Sequence, residues 1–320
     1  MIDRRIAWGG GFIALTALTA LLAPWLGLRD PAAQPDGLVL RGLPPLSRVE
    51  AIRLADGELR YAHELRRGAD GGVEYRRGSH WKRVESTALA RAWHERPLYL
   101  LGTDGFGRDL LSRLVHGARV SLGVGSLAAL ISLTIGTGVG LTAGLSRGWV
   151  DALLMRGTDV VLAVPRLFLA LMLVSLYRAS LVTTVIVLGT TSWMAAARLV
   201  RGQVLSLRER DFVEAARAVG AAPHRVGLIH VLPAAVAPVL VEAALRVGDT
   251  ILLEASLSFL GLGVQPPRAS WGNLIAEGRM ALLDSWWIAT LPGLAIAFTV
   301  IALNMVGDAA RERLAGEERA

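Results

Sequence analysis

Six long apolar segments place the strongest constraint on the fold of this chain. A helix needs about 20 apolar residues to cross the hydrocarbon core of a bilayer, and only helices or closed barrels satisfy their backbone polar groups there. Segments of this length lie near residues 6–28, 118–145, 158–177, 181–200, 234–256 and 286–307. The sequence therefore predicts an all-α integral membrane protein with six transmembrane helices.

Composition excludes several classes of function. The 320 residues are 53% hydrophobic and 19% charged, which is more apolar than a soluble protein. The net charge of +7 resides mostly on arginines at the edges of the apolar segments, a pattern that does not indicate nucleic-acid binding. Cysteine is absent, which excludes disulfides and thiolate sites. The single lysine, Lys82, does not precede Ser or Thr, so the chain is not a P-loop ATPase.

The distribution of arginine predicts the orientation of the chain in the membrane. Six spans place both termini on one side, and the short link YRAS at 177–180, on the other side, has one arginine. The links and ends on the side of the termini contain Arg4, Arg5, Arg147, Arg156, Arg201, Arg208, Arg210, Arg217, Arg225, Arg311, Arg313 and Arg319. The positive-inside rule therefore predicts that both termini are cytoplasmic. We interpret the N-terminal segment as an uncleaved first helix.

Residues 29–97 form a polar insertion that would lie outside the cell membrane. The runs GELRYAHEL, GVEYRR and HWKRV have the composition of short strands, and a glycine-rich turn, RRGADGG, separates them. We expect a small external α/β or β-hairpin module. We expect His63, His80 and His94 to be solvated rather than to bind a metal. The chain divides into residues 1–28, this insertion, a membrane core at 98–310 and a tail at 311–320.

Glycines recur at every fourth position in the second span. Gly136, Gly140 and Gly144 share one helix face, and small residues at that spacing allow close approach of another helix. The alternative, a nucleotide-binding fingerprint in GTGVGLTAG, lacks a preceding strand. The pattern favours helix packing.

Residues 201–230 form the longest internal link on the cytoplasmic side. RDFVEAARAV predicts a short amphipathic helix, Gly220 permits a change of direction, and Pro223 is suited to the first turn of a second helix. Pro233 marks the entry into the fifth span. Such a segment is suited to a groove on another protein. The alternative is an arginine-rich helix that lies on anionic lipid.

Three stretches resemble a known transporter family. Glu214, Ala215, Ala216, Gly220 and Leu232-Pro233 resemble the EAA loop of bacterial ABC-transporter permeases. The stretches LGTDGFGRDLLSRLVHGARVSLGVG (101–125) and LEASLSFLGLGVQPPRASWGNLIAEGR (253–279) resemble the dipeptide, oligopeptide and nickel permeases of the second-subunit type. His230 departs from the broad pattern but is similar to the peptide branch. The resemblance covers about residues 98–315.

The resemblance implies a fold, partners and a location. It implies the type I ABC importer permease fold in the bacterial inner membrane, with a second homologous permease, two ABC ATPase subunits, an external solute-binding protein, membrane lipid and a peptide substrate. ATP and magnesium would bind to the ATPase subunits, so this chain would need no cofactor and no catalytic residue. Nickel or another small solute is the alternative substrate. A stand-alone secondary carrier is the alternative class, but it calls for inverted repeats that the sequence does not show.

The resemblance also implies functional positions in the cytoplasmic link. The expected contacts with the ATPase are Glu214, Ala215, Ala216, Arg217, Gly220, His224 and Pro233. Glu214 is the expected polar contact, and Gly220 would hold the angle between the two helices. The alternative for Glu214 is a pair with Arg217 or Arg210 on the helix surface.

The fifth span contains four charged residues, Glu242, Arg246, Asp249 and Glu254. Charges inside a membrane usually face a pore or a partner. Glu242, Arg246 and Asp249 are four and three residues apart, so they share one face and can neutralise one another. We expect this face to line the translocation path. An ionic cluster at the interface between permeases is the alternative.

Residues 259–274 would form a re-entrant loop on the outer side. An outer gate near the binding protein is expected to include Phe259, Gly261, Gly263, Pro266 and Trp271, with Trp271 as an interfacial anchor. A plain connecting loop is the alternative. Before the second span, helix capping and local ion pairs explain Asp104, Arg108 and Asp109.

Overall fold

The computed structural model describes residues 4–146, 148–222 and 225–317. Most of these residues are helical, and we number the helices in chain order. They are α1 (Arg4–Leu22), α2 (Leu110–Leu145), α3 (Trp149–Leu162), α4 (Arg166–Leu176), α5 (Leu181–Thr190), α6 (Met194–Leu207), α7 (Asp211–Ala218), α8 (Leu232–Phe259), α9 (Trp271–Gly278) and α10 (Trp287–Glu317).

Among the described residues, five helical segments are long and apolar enough to cross a membrane. They are Arg4–Trp25, Leu110–Leu145, Leu181–Leu207, Val226–Phe259 and Trp287–Arg313. The predicted third span at 158–177 is not one helix: α3 and α4 meet at 84° and make at most one broken span. Pro165 lies at the break. Proline interrupts a helix because it lacks a backbone N–H and disfavours a helical conformation in the residue before it.

The described residues form two compact units. The first unit contains those within Met1–Leu18, Val120–Gln265 and Ala295–Ala320, and the second contains Thr19–Arg119 and Pro266–Leu294. The apolar core of the first unit is built from α2, α4, α5 and α8, and it includes Val124, Ala170, Leu188 and Leu257.

Close packing of α2 against α6 confirms the prediction from the glycine spacing. A Cβ atom at Gly136 would lie 2.6 Å from the Ala196 Cβ, and one at Gly144 would lie 2.6 Å from the Val204 Cβ. Real Cβ atoms do not approach so closely, so any side chain at these positions would separate the two helices.

The second unit contains eight short strands. They are β1 (Ser47–Arg48), β2 (Glu50–Leu54), β3 (Leu59–Ala62), β4 (Glu64–Arg67), β5 (Val73–Arg77), β6 (His80–Val84), β7 (Leu89–Glu95) and β8 (Leu98–Tyr99). All pairings are antiparallel, and the strand orders are β1-β8, β3-β2-β7 and β4-β5-β6.

The strand β2 is central to this unit because both of its faces are buried. Successive side chains of a strand point to opposite faces. Ala51 packs with Tyr61 and Tyr99 in one apolar cluster, whereas Ile52 packs with Val73 and Tyr75 in another. The polar insertion therefore buries two small cores of its own.

The strands predicted at GELRYAHEL, GVEYRR and HWKRV are confirmed as β3 and β4, β5, and β6. The glycine-rich turn is also confirmed, since β4 and β5 form a hairpin in which Arg67 faces Val73. The expectation of only a hairpin understates the fold, because β2 also pairs with β7, more than 30 residues later. Long-range pairing of this kind has no local sequence signal.

Candidate functional site

The helix α7 forms the predicted amphipathic part of the loop at 201–230. It spans Asp211–Ala218, and it buries Val213 and Ala216. These two side chains pack in a cluster with Val200 and Val204 of α6 and with Val226, which precedes α8. The helix α7 is therefore attached to the ends of two spans.

The opposite face of α7 is exposed and partly apolar. Glu214, Ala215 and Arg217 are exposed, and Phe212 and Val219 are 45% and 85% exposed. Among the described residues, the Glu214 carboxylate makes no hydrogen bond or ion pair, so the alternative pair with Arg210 or Arg217 does not form. A short helix that exposes both a carboxylate and apolar side chains is suited to contact with another protein.

Gly220 changes the direction of the chain after α7. Its φ is +84°, a left-handed conformation that glycine adopts without strain. Its N–H donates to the Arg217 carbonyl at 2.9 Å, and that of Ala221 donates to the Ala216 carbonyl at 3.1 Å. The predicted elbow is therefore present.

The predicted contacts beyond the elbow are only partly described. His224 lies outside the described residues, as does Pro223, so the second short helix expected there stays a prediction. From Val226 to Val231 the chain forms a π-helical turn, and it continues directly into α8. Pro233 is exposed at the start of α8, directly after the π-helical turn, and it supplies no backbone N–H there.

The charged residues of the fifth span do pair on one face of α8. Arg246 Nη2 lies 2.7 Å from Glu242 Oε1, and its Nη1 lies 3.6 Å from Asp249 Oδ2. Arg311 of α10 contacts the other Glu242 oxygen at 3.1 Å. Glu242 is buried, whereas Asp249 is 54% exposed. The predicted local neutralisation is therefore confirmed.

Glu254 occupies a different environment, fully buried between α8 and α2. It accepts a hydrogen bond from Ser258 Oγ at 2.7 Å and one from Ser121 Oγ at 3.4 Å. Hydroxyl donors compensate part of the cost of burying a carboxylate. Glu254 is not part of the face formed by Glu242, Arg246 and Asp249.

Phe259 ends α8, and the chain then turns at Gly261, whose φ is +84°. A Cβ atom at Gly263 would lie 2.6 Å from the Ser258 Cα, so glycine is required for this turn. Ser258 Oγ also accepts a hydrogen bond from the Val264 N–H at 3.1 Å. The first half of the predicted re-entrant loop is thus a tight, hydrogen-bonded turn.

The second half of the loop, from Pro266 onward, belongs to the second unit. Ser270 and Asn273 form a reciprocal capping box at the start of α9, which satisfies backbone N–H groups of its first turn. Trp271 is 2% exposed, and its indole N–H donates to the Leu114 carbonyl at 3.0 Å. The expectation of an interfacial anchor is therefore wrong, because this tryptophan is buried within the protein.

A buried group of four charges in the second unit was missed from the sequence. The local pair of Asp104 and Arg108, at 2.6 Å, was expected. The structure adds Arg113 and Glu277, which lies 2.6 Å from Arg108 Nη2 and 2.5 Å from Arg113 Nη1. Glu277 was missed because it is 164 residues from Arg113 in the chain.

The carboxyl group of Asp109 lies next to this group of charges. It accepts a hydrogen bond from the Ser112 N–H at 3.2 Å, and the predicted cap of the second span is confirmed. Burial raises the pKa of Asp109, although Arg29 and the Ser112 N–H favour its charged form.

Arg166 is a second residue that was missed from the sequence. It is the first residue of α4, directly after the break that the sequence did not predict. Its Nη2 donates to Ser192 Oγ at 2.8 Å, and its Nη1 lies 4.0 Å from Asp249 Oδ2. The arginine is therefore beside the charged face of α8.

Residues 136–317 match the family described as the binding-protein-dependent transport system inner membrane component. The match covers more than half of the 320 residues. The chain belongs to this family.

Relatives of this permease include proteins named as peptide transport permeases. The di/tripeptide transport system permease protein DppC of Pseudomonas aeruginosa is 45% identical over 216 residues, which are 68% of this chain and 71% of that protein. The oligopeptide transport system permease protein OppC of Haemophilus influenzae is 37% identical over 239 residues, 75% of each chain. The resemblance seen in the sequence is thus confirmed.

A solved structure supports the fold of this permease. A chain of the MetNI methionine ABC transporter, in a crystal form with inward-facing conformations, aligns with a TM-score of 0.50 and 17% identity, covering 63% of this chain and 97% of that one. The expected all-α membrane fold of type I ABC importer permeases is confirmed, and the permease is a multi-pass membrane protein.

The insertion at 29–97 is not part of the family match, which begins at residue 136. Its histidines have polar neighbours: His94 contacts Glu50, and His63 Nδ1 accepts a hydrogen bond from the Gly78 N–H at 3.4 Å. Among the described residues, no group of three or more metal-ligating side chains is placed to hold a metal ion.

Proposed function

We propose that this permease moves dipeptides or oligopeptides across the bacterial cytoplasmic membrane as the membrane subunit of an ATP-driven importer. The names of its relatives, a di/tripeptide and an oligopeptide transport permease, support the substrate class. The observation that carries the proposal is the exposed surface of α7, where the Glu214 carboxylate makes no ion pair among the described residues and the apolar side chains of Phe212 and Val219 are exposed.

The attachment of α7 supports a role in coupling. Val213 and Ala216 pack on α6 and on the turn that leads into α8. A force applied to α7 by a partner is therefore transmitted to two spans at once, because packed cores shift as units rather than deform. ATP binding would close a pair of ATPase subunits, and their movement would bias the spans toward a second conformation.

The proposal assigns the chemistry of ATP to other chains. Two ABC ATPase subunits would bind ATP and magnesium and would contact Glu214, Ala215, Ala216, Arg217, Gly220, His224 and Pro233. A second homologous permease and an external solute-binding protein would complete the complex. This chain would then supply no catalytic residue and bind no cofactor.

The coupling role requires a definite orientation in the inner membrane. The loop at 201–230 must be cytoplasmic to reach the ATPase, which places both termini in the cytoplasm and the module at 29–97 outside. The arginine bias of the short links supports this orientation.

Within the membrane, we assign the charged face of α8 to the translocation path. Glu242 and Arg246 neutralise each other, and Asp249 remains half exposed. Buried charges inside a membrane are costly and are usually retained for function. Glu254 would lie along the same path, and Phe259, Gly261, Gly263, Pro266 and Trp271 would form the outer gate. An ionic cluster at the interface with the second permease is the alternative.

Uptake by proteoliposomes tests the proposed function. The complex of both permeases and both ATPase subunits is reconstituted with ATP inside, and labelled dipeptide is added outside with the binding protein. We expect uptake that requires both ATP and binding protein. Uptake of nickel but not of peptide would show that the substrate is a metal ion rather than a peptide. Gradient-driven uptake by this chain alone would indicate a secondary carrier.

A further inference from the structure

Arg166 combines a position at the break between α3 and α4 with incomplete pairing. It precedes the last residue of α4, Leu176, by ten residues, which is about 15 Å of helix and half of a hydrocarbon core. A guanidinium group has five N–H donors. Ser192 accepts one of them, Asp249 lies beyond hydrogen-bond distance, and Nε is buried with no partner among the described residues.

The neighbouring arginine, Arg246, is held in place by Glu242. Its Nε and Nη2 both donate to Glu242 Oε1, at 2.9 and 2.7 Å. The remaining Glu242 oxygen accepts from Arg311 at 3.1 Å. Both Glu242 oxygens are therefore engaged by other arginines, and the carboxylate beside Arg166 is that of the second acid, Asp249.

That second acid, Asp249, lies between the two arginines without a hydrogen bond to either. Its Oδ2 is 3.6 Å from Arg246 Nη1 and 4.0 Å from Arg166 Nη1. Asp249 precedes the end of α8 at Phe259 by ten residues, again about 15 Å of helix. Its half-exposed carboxylate marks the point where this group of charges is open.

The donors of Arg166 are not matched by acceptors. Arg166 and Arg246 face two carboxylates, but Glu242 is engaged by Arg246 and Arg311, and Asp249 makes no hydrogen bond to Arg166. A guanidinium with unmatched donors is costly inside a membrane, and an additional anion stabilises it. Arginine is suited to a carboxylate because its planar fork matches the two oxygens.

We propose that Arg166 and Arg246 form a carboxylate-binding site for the permeant peptide at the middle of the translocation path, with Asp249 as the group that a substrate carboxylate displaces. This inference rests on the proposed function and adds a chemical selectivity to it. The expected ligand is the C-terminal carboxylate, which every unmodified peptide has, and an acidic side chain is the other source of the same group.

Matched peptides test the proposal in the reconstituted complex. Three versions of one short peptide are supplied on the binding protein: a free C-terminus, a C-terminal amide, and an amide with a glutamate side chain. The measured quantity is the acid-to-amide ratio, that is, the uptake of the peptide with a free C-terminus divided by the uptake of its C-terminal amide. The preference of the binding protein cancels when this ratio is compared between permease variants, because the same binding protein is used throughout.

The variants are Arg166→Gln, Arg166→Lys and the control Arg198→Gln. Arg198 is an exposed arginine of the first unit that pairs with Asp159, away from this group. We expect Arg166→Gln to lower the acid-to-amide ratio by about tenfold or more. Arg166→Lys retains the charge and is expected to retain part of the preference, and Arg198→Gln is expected to retain all of it.

The outcomes separate this inference from the proposed function. An unchanged ratio in Arg166→Gln overturns the carboxylate site, even if peptide uptake itself is normal. If wild type takes up no peptide, the proposed function fails first. If Arg166→Gln does not assemble with the ATPase, the acid-to-amide ratios of Arg166→Lys and Arg246→Lys are compared with the ratio of wild type instead. Both lysine variants keep the charge but lose the planar fork. If the glutamate side chain restores the uptake of the amidated peptide, the site accepts a side-chain carboxylate as well as a C-terminal one.

Discussion

At the scale of single residues, the most constrained positions are those where a side chain is excluded. Gly136, Gly140 and Gly144 allow α2 to lie against α6. Gly138, on the same helix, has no neighbouring atom within 4 Å of a Cβ position. The two kinds of glycine differ in environment, and the spacing of four residues distinguishes them in the sequence.

We predict opposite effects of alanine at two of these glycines. In Gly140→Ala, the new Cβ would lie 2.8 Å from the Val200 Cβ and closer still to the Ala197 carbonyl oxygen, and we expect a loss of about 1–3 kcal/mol in stability. Gly138→Ala is the control and is expected to be neutral or stabilising by up to about 1 kcal/mol. Unfolding of the purified chain in detergent measures both, and equal stabilities would contradict the packing.

The residues of the candidate site were predictable to different degrees. The pairing of Glu242 with Arg246 follows from a spacing of four residues on a helix. The partners of Arg166 lie on α8 and beside α6, and those of Arg113 include Glu277, far along the chain. Contacts between distant segments depend on tertiary packing, and nothing in the local sequence signals them.

At the scale of elements, apolar length predicted the spans well but did not predict a break within one. The segment at 158–177 is mostly apolar, with two charged residues, Asp159 and Arg166, yet it is divided at Pro165 into α3 and α4. Proline is tolerated in membrane helices elsewhere in this chain, within α8 and α10. Its effect therefore depends on the surrounding packing, which a hydropathy window does not include.

The strands of the insertion at 29–97 contain ion pairs that predict a dependence of stability on pH. The Arg53 guanidinium lowers the pKa of Glu95. Burial opposes ionisation of Glu50, but hydrogen bonds from His94 and Arg96 lower its pKa nonetheless. Both carboxyls bind protons less readily when folded, so their stabilisation is present above the unfolded pKa and is lost as the pH falls through the folded value.

We predict that β2 and β7 lose protection from hydrogen exchange as the pH falls below about 4.5. Exchange in the full chain, corrected for intrinsic rates, measures the effect. Glu95→Gln removes the pair at every pH and is expected to flatten the profile. Glu85→Gln is the matched control, because the Glu85 carboxylate has no ion pair among the described residues, and a flattened profile in that control would count against the assignment.

At the scale of the whole molecule, the account depends on one mechanical link between a cytoplasmic partner and the spans. The helix α7 carries an exposed face with Glu214, and its buried face packs on α6 and on the start of α8. Gly220 sets the direction of the chain between them through a left-handed conformation. This arrangement, rather than any catalytic group, is what the proposed function requires of the chain.

The most direct test of this link is the stimulation of ATP hydrolysis by the peptide-loaded binding protein in the purified complex. The test variant is Glu214→Ala/Gly220→Pro. The first substitution removes the exposed carboxylate, and the second introduces a proline, which does not adopt the φ of +84° found at Gly220. Gly202→Ala is the control, because Gly202 is helical and has open space around it.

We expect wild type and Gly202→Ala to be stimulated equally. The double variant is expected to retain its ATPase subunits and its basal hydrolysis but to lose nearly all stimulation. A double variant that assembles and responds to the loaded binding protein as wild type does would contradict the coupling role of α7.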